Sequence, residues 1–344
     1  MTYSIYPRAV HGLMVSSLLA LQMLSAPARS TDSHHHHLRG PSFSDPAVLA
    51  PVPKDWDAKS IKYEDRDKDA DLVVVLGQQS HPIFHKLIPE YAKENGLKIV
   101  LKHGTCGITA GKLLKKSVDV GAFCCPPGKS DRLPGLEFHS LGITAVALIV
   151  HPDNPLENVS SQQARDIFQG KIAHWDEINV NHPAAIKSLI KPVGRLHCKI
   201  RPGHWRLMLE DDDKFSPRLF EVGVIPDMIS QVASNPNAIG WEVPLMTTVH
   251  RDKGQVKMLK IDDHDPTDLE YVKSGKYPLY RSYSLTTWKK DSKAKQQALK
   301  LISYLQQYLE KIHKDIAYVP PSELKKAGWK FLGNELIGEP EATR

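Results

Sequence analysis

Residues 71–123 decide the fold class, and they read DLVVVLGQQSHPIFHKLIPEYAKENGLKIVLKHGTCGITAGKLLKKSVDVGAF. Three short apolar runs, DLVVVLG, LKIVLKHG and VDVGAF, have the length of buried strands. Between them, HPIFHKLIPEYAKENG and ITAGKLLKKS carry apolar residues at helical spacing. This alternation predicts an α/β fold in which helices cover a parallel sheet.

The same two patterns continue towards the carboxyl terminus. The run SLGITAVALIVHP at 140–152 predicts one buried strand, and SSQQARDIFQG at 160–170 predicts a short helix with a Ser cap and a Gly stop. Further strands are predicted at IKPVGRLH, NAIGWEV and QVKMLKI. The segment KAKQQALKLISYLQQYLEKI at 293–312 predicts the longest amphipathic helix.

Composition favours a soluble globular protein, since 41% of the 344 residues are hydrophobic and 24% are charged. The formal net charge is +6, and the basic residues are scattered along the chain. A scattered excess of this size attracts small anions weakly and does not form the basic patch that nucleic acid requires. We therefore expect no nucleic-acid partner.

The first 28 residues have the pattern of a cleaved secretory signal peptide. Arg8 and His11 precede the apolar stretch GLMVSSLLALQMLS, and Ala26 to Ala28 offer a small-residue cleavage site. This stretch and the later ITAVALIV are both short for a membrane span. The mature protein is therefore expected to be periplasmic and not membrane-spanning. Residues 29–70 are rich in Pro, Ser and His and predict a flexible leader, in which His34 to His37 could bind a metal loosely.

Cysteine usage is the first sign of a site. In an exported chain, four cysteines would ordinarily suggest disulfides. However, a chain of 344 residues can bury a sizeable core without such crosslinks, and three of the four lie within twenty residues of one another. The four are Cys106, Cys124, Cys125 and Cys198.

Two loops that follow predicted strands could bind an anion. In GQQSHP, Gln79 and Ser80 could donate to an anion at a helix N-terminus, although Ser80 could instead cap the helix. In HGTCGITAGK, the spacing from Gly107 to the next glycine is one residue short of a nucleotide-binding P-loop. A glycine-rich turn before a helix still suits a smaller oxyanion, here with Thr105 and Cys106 beside it.

A third loop, GRLHCKIRPGHWRLML at 194–209, combines two kinds of ligand chemistry. Arg195 and Arg201 could each bind an oxyanion through a forked guanidinium. His197, Cys198 and His204 are soft or borderline metal ligands. The density of such residues in one turn favours a functional interpretation over a purely structural one.

Several segments resemble the phosphate-binding proteins of bacterial phosphate ABC transporters. The resemblance covers roughly 71–330 and includes 71–123, IVHPDNPLENVSSQQARDIFQGKIAHWDEI, NAIGW and YPLYRSYSLTTW. It implies a type II periplasmic-binding-protein fold, with two lobes of mixed sheets flanked by helices and two hinge crossovers. Lobe one would be 71–147 plus 248–330, lobe two would be 148–247, and 331–344 would be a tail.

The binding loops depart from that family. Ser80 is the nearest match to a family donor after the first strand, and Arg195 matches the Arg of lobe two. Where the family has Ser-Gly in the second loop, this chain has Cys106 and Gly107. Where the family has an Asp that accepts a phosphate proton, this chain has Cys124.

Thiols are poor hydrogen-bond donors, so these exchanges weaken the case for phosphate and open two alternatives. Thiolate and imidazole together suit copper, zinc or a thiophilic metalloid. The hypothetical metal ligands are Cys106, Cys124, Cys198, His197 and His204. Alternatively, a disulfide could join Cys106 to Cys124, or Cys125 to Cys198.

The sequence therefore predicts a monomeric, exported solute-binding protein that captures a small oxyanion by lobe closure and delivers it to an ABC permease. A periplasmic soft-metal or metalloid binder or sensor on the same fold is the alternative. An enzyme with Cys124 as nucleophile is not predicted, because no acid visibly orients a histidine base. The predicted ligand-binding residues are Gln79, Ser80, Thr105, Cys106, Gly107, Cys124, Cys125, Arg195, Arg201 and His204.

Overall fold

Strands and helices alternate through most of the chain in the computed structural model, which describes residue 38 and residues 41–178, 188–196, 207–290 and 292–341. The strands are β1 (Leu72–Gly77), β2 (Ile99–Gly104), β3 (Val120–Phe123), β4 (Leu136–Ala145), β5 (Ala147–Val150), β6 (Asn158–Val159), β7 (Lys191–Gly194), β8 (Phe220–Glu221), β9 (Ala238–Glu242), β10 (Lys257–Ile261), β11 (Tyr280–Trp288), β12 (Lys330–Leu332) and β13 (Glu335–Gly338). The helices are α1 (His81–Phe84), α2 (Leu87–Glu94), α3 (Cys106–Leu114), α4 (Ser161–Gln169), α5 (Ile225–Ala233), α6 (Pro244–Val249), α7 (Leu269–Lys273), α8 (Lys293–Ile312) and α9 (Pro321–Lys326).

The first sheet has the order β2-β1-β3-β11-β4. Its strand β1 runs parallel to β2 and β3, whereas β11 runs antiparallel to β3 and β4. Strand β1 is buried on both faces: Leu72, Val74 and Leu76 belong to one apolar cluster, and Val73 and Val75 belong to another. Burying each such side chain contributes about 1.5–3 kcal/mol, which explains why an unbroken apolar run forms this strand.

The second sheet has the order β6-β10-β5-β9-β7-β8 and is also mixed, with β5 antiparallel to β9 and β7 parallel to β9. The predicted single strand at 140–152 is in fact two strands, β4 in the first sheet and β5 in the second. The chain crosses between the sheets at Val146, whose N–H donates to the Leu279 carbonyl at 2.6 Å. Periodicity missed the crossing because both strands are buried and the apolar run does not change there.

The chain returns to the first sheet between β10 and β11. Strand β10 pairs with β5 and β6 of the second sheet, although the sequence-based division assigned 248–330 to lobe one. The second sheet therefore extends to Ile261. The predicted fold class, mixed sheets flanked by helices, is confirmed.

One predicted helix is interrupted. The segment 81–96 forms α1 and α2, with a turn at His85 and Lys86 between them. Pro89 explains the break, because proline has no N–H to donate to the carbonyl four residues earlier, which is that of His85. The sequence-based prediction followed the apolar spacing and overlooked this proline.

Residues 41–70, predicted to be a flexible leader, pack against the first sheet. Trp56 is buried, its indole N–H donates to the Leu114 carbonyl at 2.7 Å, and its ring lies 5.9 Å from that of Trp288. The predicted tail likewise contributes the β12–β13 hairpin, in which Glu335 accepts a 2.7 Å hydrogen bond from Arg132. The predicted signal peptide and His34 to His37 lie outside the described residues.

In the part of the chain that the structure describes, no helix combines the length and the apolar character needed to cross a bilayer.

Candidate functional site

The thiol-bearing loops meet at one edge of the first sheet. Because β1, β2 and β3 are parallel, their carboxyl ends lie at the same edge. Cys106 begins α3 just after β2, and Cys124 follows β3 directly. Their sulfur atoms lie 3.1 Å apart, beyond the ~2.05 Å of a disulfide bond but in direct contact. The sequence-based expectation that these two loops converge therefore agrees with the geometry.

Arg281 contacts both the carbonyl and the sulfur of Cys124. It was not predicted from the sequence as a site residue. It lies on β11, which pairs antiparallel with β3 and so brings residue 281 beside the end of that strand. Its Nη2 lies 3.0 Å from the Cys124 sulfur and 3.9 Å from the Cys125 sulfur, and its Nε donates to the Cys124 carbonyl at 3.1 Å. Arg281 is only 4% exposed, so this guanidinium exchanges water for sulfur and carbonyl partners.

The surroundings of the two touching thiols favour negative charge on the Cys124 sulfur. The pKa of Cys124 lies well below its usual value because the thiols of Cys106 and Cys125 hydrogen bond to its sulfur and the positive charges of Arg281 and Arg195 favour the thiolate. The pKa of Cys106 is raised, because its proton is held in the hydrogen bond to Cys124 and because the group is buried. This environment favours a thiolate at Cys124, accepting from the Cys106 S–H and facing the Arg281 guanidinium.

A second buried guanidinium comes from the other sheet. Arg195 follows β7, and Glu242 ends the parallel neighbour β9, so the two side chains emerge at the same edge. Arg195 Nη2 lies 2.8 Å from Glu242 Oε2, and both residues are almost fully buried. A buried pair of this kind is strongly coupled, because removing either partner leaves an uncompensated charge.

Side chains from the loop after β1 connect this ion pair to the first sheet. Gln78 accepts from Arg195 Nη1 at 3.3 Å, and Gln79 Nε2 donates to Glu242 Oε1 at 2.8 Å. Tyr283 of β11 donates its hydroxyl proton to Gln79 Oε1. These contacts connect the two sheets directly.

Arg195 also carries a buried donor that the contacts above do not use. Its Nε is buried and has no hydrogen-bond partner among the described residues. Buried guanidinium nitrogens are ordinarily paired, so this nitrogen is a candidate contact for a ligand.

The hydroxyls predicted to bind an anion are used locally. Ser80 Oγ accepts from the Gly77 N–H at 3.1 Å and makes no side-chain cap to α1. Thr105 caps α3 by accepting from the Ile108 N–H at 3.3 Å. Gly107 lies on the exposed first turn of that helix. Of these three residues, Gly107 alone is exposed.

The structure describes the third loop only up to Leu196 and again from Leu207. Arg201, His197, Cys198 and His204 lie outside the described residues. Within the described ranges, no group of three or more His, Cys, Asp or Glu side chains is arranged to hold a metal ion. The metal site therefore stays a prediction, and the Arg281 guanidinium beside Cys124 opposes a cation at that position.

The missed residues carried only weak sequence signals. Arg281 and Tyr283 lie within YPLYRSYSLTTW, and Glu242 directly follows NAIGW, two segments quoted for the resemblance. All three are buried polar residues in strands that are otherwise rich in apolar or small side chains. Such residues are rarely buried unless they are paired, and that signal could have identified them.

Two mixed sheets flanked by helices, with crossing segments and the Gln79–Glu242 contact between them, define an α/β fold. A model of the PBP superfamily domain matches residues 67–307. The chain belongs to this family.

Curated relatives carry a more specific name. "Phosphate-binding protein PstS 2" of Streptococcus pneumoniae is 28% identical over 127 residues, which are 35% of this chain and 41% of that protein. The protein of the same name in Streptococcus agalactiae is 26% identical over 111 residues, which are 31% of this chain and 37% of the relative. The matches thus span about two fifths of the relatives' length.

Solved structures share the fold over a larger part of the chain. An ABC-type phosphate transport receptor from Vibrio cholerae has a TM-score of 0.57 at 17% identity, covering 73% of this chain and 100% of that one. A putative phosphate ABC transporter substrate-binding protein from Clostridium perfringens, titled as having bound phosphate, has a TM-score of 0.59 at 15% identity and covers 72% and 98%. At these identities the likeness concerns the fold.

Proposed function

We propose that this chain is an exported solute-binding protein of the phosphate-binding type, which captures a small oxyanion between its two sheets and delivers it to an ABC permease. The observation that carries the proposal is the buried Arg195 guanidinium, which emerges from the second sheet and contacts Gln78 of the first. Membership of the PBP superfamily and the names of the relatives support the same function. Binding and release, without catalysis, are the whole of the proposed activity.

A dehydrated oxyanion requires several charge-assisted donors, and the site has two buried guanidinium groups. Arg195 offers its buried Nε, and Arg281 lies at the loop after β3. The start of α3 lies at the same edge, and the first N–H groups of a helix have no partner within it. In the proposed cycle the ligand enters when the two sheets move apart, and closure then surrounds it.

Glu242 gives the proposed site its selectivity. Its carboxylate faces Arg195, so a bound oxyanion must approach a negative charge. A protonated oxyanion such as hydrogenphosphate can donate to that carboxylate, whereas sulfate has no proton to donate and is repelled. Cys124 replaces the carboxylate that the resembled family has after its third strand, and Glu242 supplies one from the opposite sheet.

The experiment is calorimetric titration of phosphate into the mature chain under reducing conditions, with the wild type and Arg195→Gln side by side. The wild type should bind one phosphate, and the substitution should weaken binding at least about thirtyfold, because truncating one partner of a buried charged contact costs about 2–5 kcal/mol. Arg132→Gln is the matched control, since Arg132 is similarly buried and is paired with Glu335 instead of Glu242. Equal phosphate affinity in the wild type and Arg195→Gln would reject the proposal.

A further inference from the structure

The two touching sulfurs and the guanidinium beside them form a unit that the captured oxyanion alone does not explain. We propose that Cys106 and Cys124 are an oxidation-sensitive thiol pair, and that closing their disulfide releases Arg281 to bind the oxyanion. The redox part concerns only the thiols, whereas the effect on the ligand rests on the proposed function.

Geometry supports the pairing. Cys106 and Cys124 follow β2 and β3, which are separated by β1 in the sheet, yet their sulfurs lie 3.1 Å apart. A disulfide requires the sulfurs to approach by only about 1 Å more. The neighbouring Cys125 cannot easily replace Cys106, because a trans peptide holds adjacent cysteines too extended to bond to each other.

The environment supports reactivity. Thiolates rather than thiols are the nucleophiles, and Arg281 Nη2 at 3.0 Å from Cys124 Sγ stabilises a thiolate there. Cys124 is partly exposed, whereas Cys106 is buried behind it. Cys124 is thus the sulfur that a small oxidant meets first, and Cys106 is the sulfur that resolves the product.

With hydrogen peroxide as oxidant, the reaction balances in two steps. The Cys124 thiolate attacks one peroxide oxygen, the O–O bond breaks, and the departing hydroxide takes a proton to become water, leaving a sulfenic acid. The Cys106 sulfur then attacks the Cys124 sulfur, and the hydroxide that leaves takes the Cys106 proton as a second water. Two sulfurs lose two electrons and one peroxide gains them, and a dithiol reductant reverses the change.

Oxidation changes the charge around Arg281. In the reduced chain, the Cys124 thiolate neutralises this buried guanidinium at 3.0 Å. The sulfurs of a disulfide are uncharged, so the oxidised chain retains a buried cation that has lost its closest anion. A buried charge requires a partner, and an oxyanion between the sheets can supply one. Oxidation should therefore raise the affinity for the oxyanion, and by linkage the oxyanion should favour the disulfide by the same factor.

The test uses the full mature chain, either reduced with dithiothreitol or treated with hydrogen peroxide and freed of reagent. Peptide mapping after alkylation should find a Cys106–Cys124 disulfide in the treated sample only. Phosphate titration should show at least tenfold tighter binding in the oxidised sample, and dithiothreitol should reverse both changes. A disulfide that instead contains Cys125 or Cys198, or an affinity that is unchanged or lower after oxidation, would overturn the proposal.

Two substitutions separate the charge effect from the crosslink. Cys124→Ser removes the thiolate without forming a disulfide, so it should bind phosphate as tightly as the oxidised wild type in either redox condition. Cys106→Ser keeps a thiolate at Cys124, so under reduction it should bind phosphate more weakly than Cys124→Ser does. If Cys124→Ser instead binds like the reduced wild type, release of Arg281 is not the cause.

Failure of the proposed function would look different. Suppose the wild type forms the Cys106–Cys124 disulfide but binds no phosphate in either redox state. That result would refute oxyanion capture and its coupling to oxidation, whereas the peptide mapping would still support the thiol pair. Phosphate binding of equal strength in both states, with the disulfide formed, would refute the coupling alone.

Discussion

The two buried guanidinium groups of the site, Arg195 and Arg281, are each paired with an anion from the protein itself. Arg195 contacts the Glu242 carboxylate at 2.8 Å, and Arg281 contacts the Cys124 sulfur at 3.0 Å. A carboxylate keeps its charge in the presence of oxidants, whereas a thiolate loses its charge when a disulfide forms. Similar geometry therefore gives one ion pair that oxidants leave intact and one that disulfide formation breaks.

The largest expected effect concerns the ion pair of Arg195 and Glu242. Arg195→Gln should lower the free energy of unfolding by about 3–5 kcal/mol, because it leaves the Glu242 carboxylate buried without its cation. Urea denaturation followed by circular dichroism measures the change. The double variant with Glu242→Gln should recover much of the loss, since neither charge then remains. If the losses of the two single variants simply add, the pair is not coupled.

The second expected effect separates the roles of the two anions. Glu242→Gln should lower the preference for phosphate over sulfate by about tenfold, because the carboxylate no longer repels a fully ionised anion. Competition calorimetry with the two anions measures the ratio. Glu335→Gln, which alters the ion pair of Arg132, should leave the ratio as in the wild type. A preference unchanged in Glu242→Gln would remove this carboxylate from the selectivity.

The third effect concerns the titration of the thiolate. Because the pKa of Cys124 is lowered, the ultraviolet absorbance of its thiolate should persist to lower pH than that of a free cysteine, and Cys124→Ser should lose it. Arg281→Gln should move the midpoint to higher pH, since removing a positive charge favours the protonated thiol. Acid should protonate Cys124 and so weaken its hold on Arg281. An identical midpoint in Arg281→Gln and the wild type would contradict the assigned pairing.

The smallest effect lies away from both guanidinium groups. Thr105→Ala should destabilise the chain by about 1 kcal/mol, because it removes the cap of α3 at the Ile108 N–H. Ser160→Ala is the matched comparison, since Ser160 caps α4 in the same way through the Gln163 N–H. Thermal unfolding measures both. A loss in Thr105→Ala that is much larger than in Ser160→Ala would assign Thr105 a further role in the site.

Part of each buried pair could be predicted from the sequence. Apolar runs bounded by turns predict strands β1 to β3, and parallel strands end at one edge of a sheet. The proximity of Cys106 and Cys124 could therefore be predicted from the sequence. Arg195 could be predicted as a site residue because it matches an Arg of the resembled family. Even so, the sequence did not predict which anion would face each guanidinium.

Glu242 and Arg281 escaped prediction for a physical reason. Both lie in strands, where periodicity assigns a face to a side chain but not a partner on another strand. The pairing of β11 with β3 and of β9 with β7 depends on long-range topology, and that topology brings the charges together. The crossing at Val146 was hidden in the same way, inside an apolar run that is buried on both sides of it.

The most direct test of the account is a crystal structure of the mature chain grown with phosphate in the oxidised state. The account predicts a phosphate between the two sheets, with oxygens within hydrogen-bonding distance of both Arg195 and Arg281, and a bond joining Cys106 to Cys124. A phosphate bound elsewhere, or a chain in which Arg281 keeps its contact with a reduced Cys124 at saturating phosphate, would contradict it.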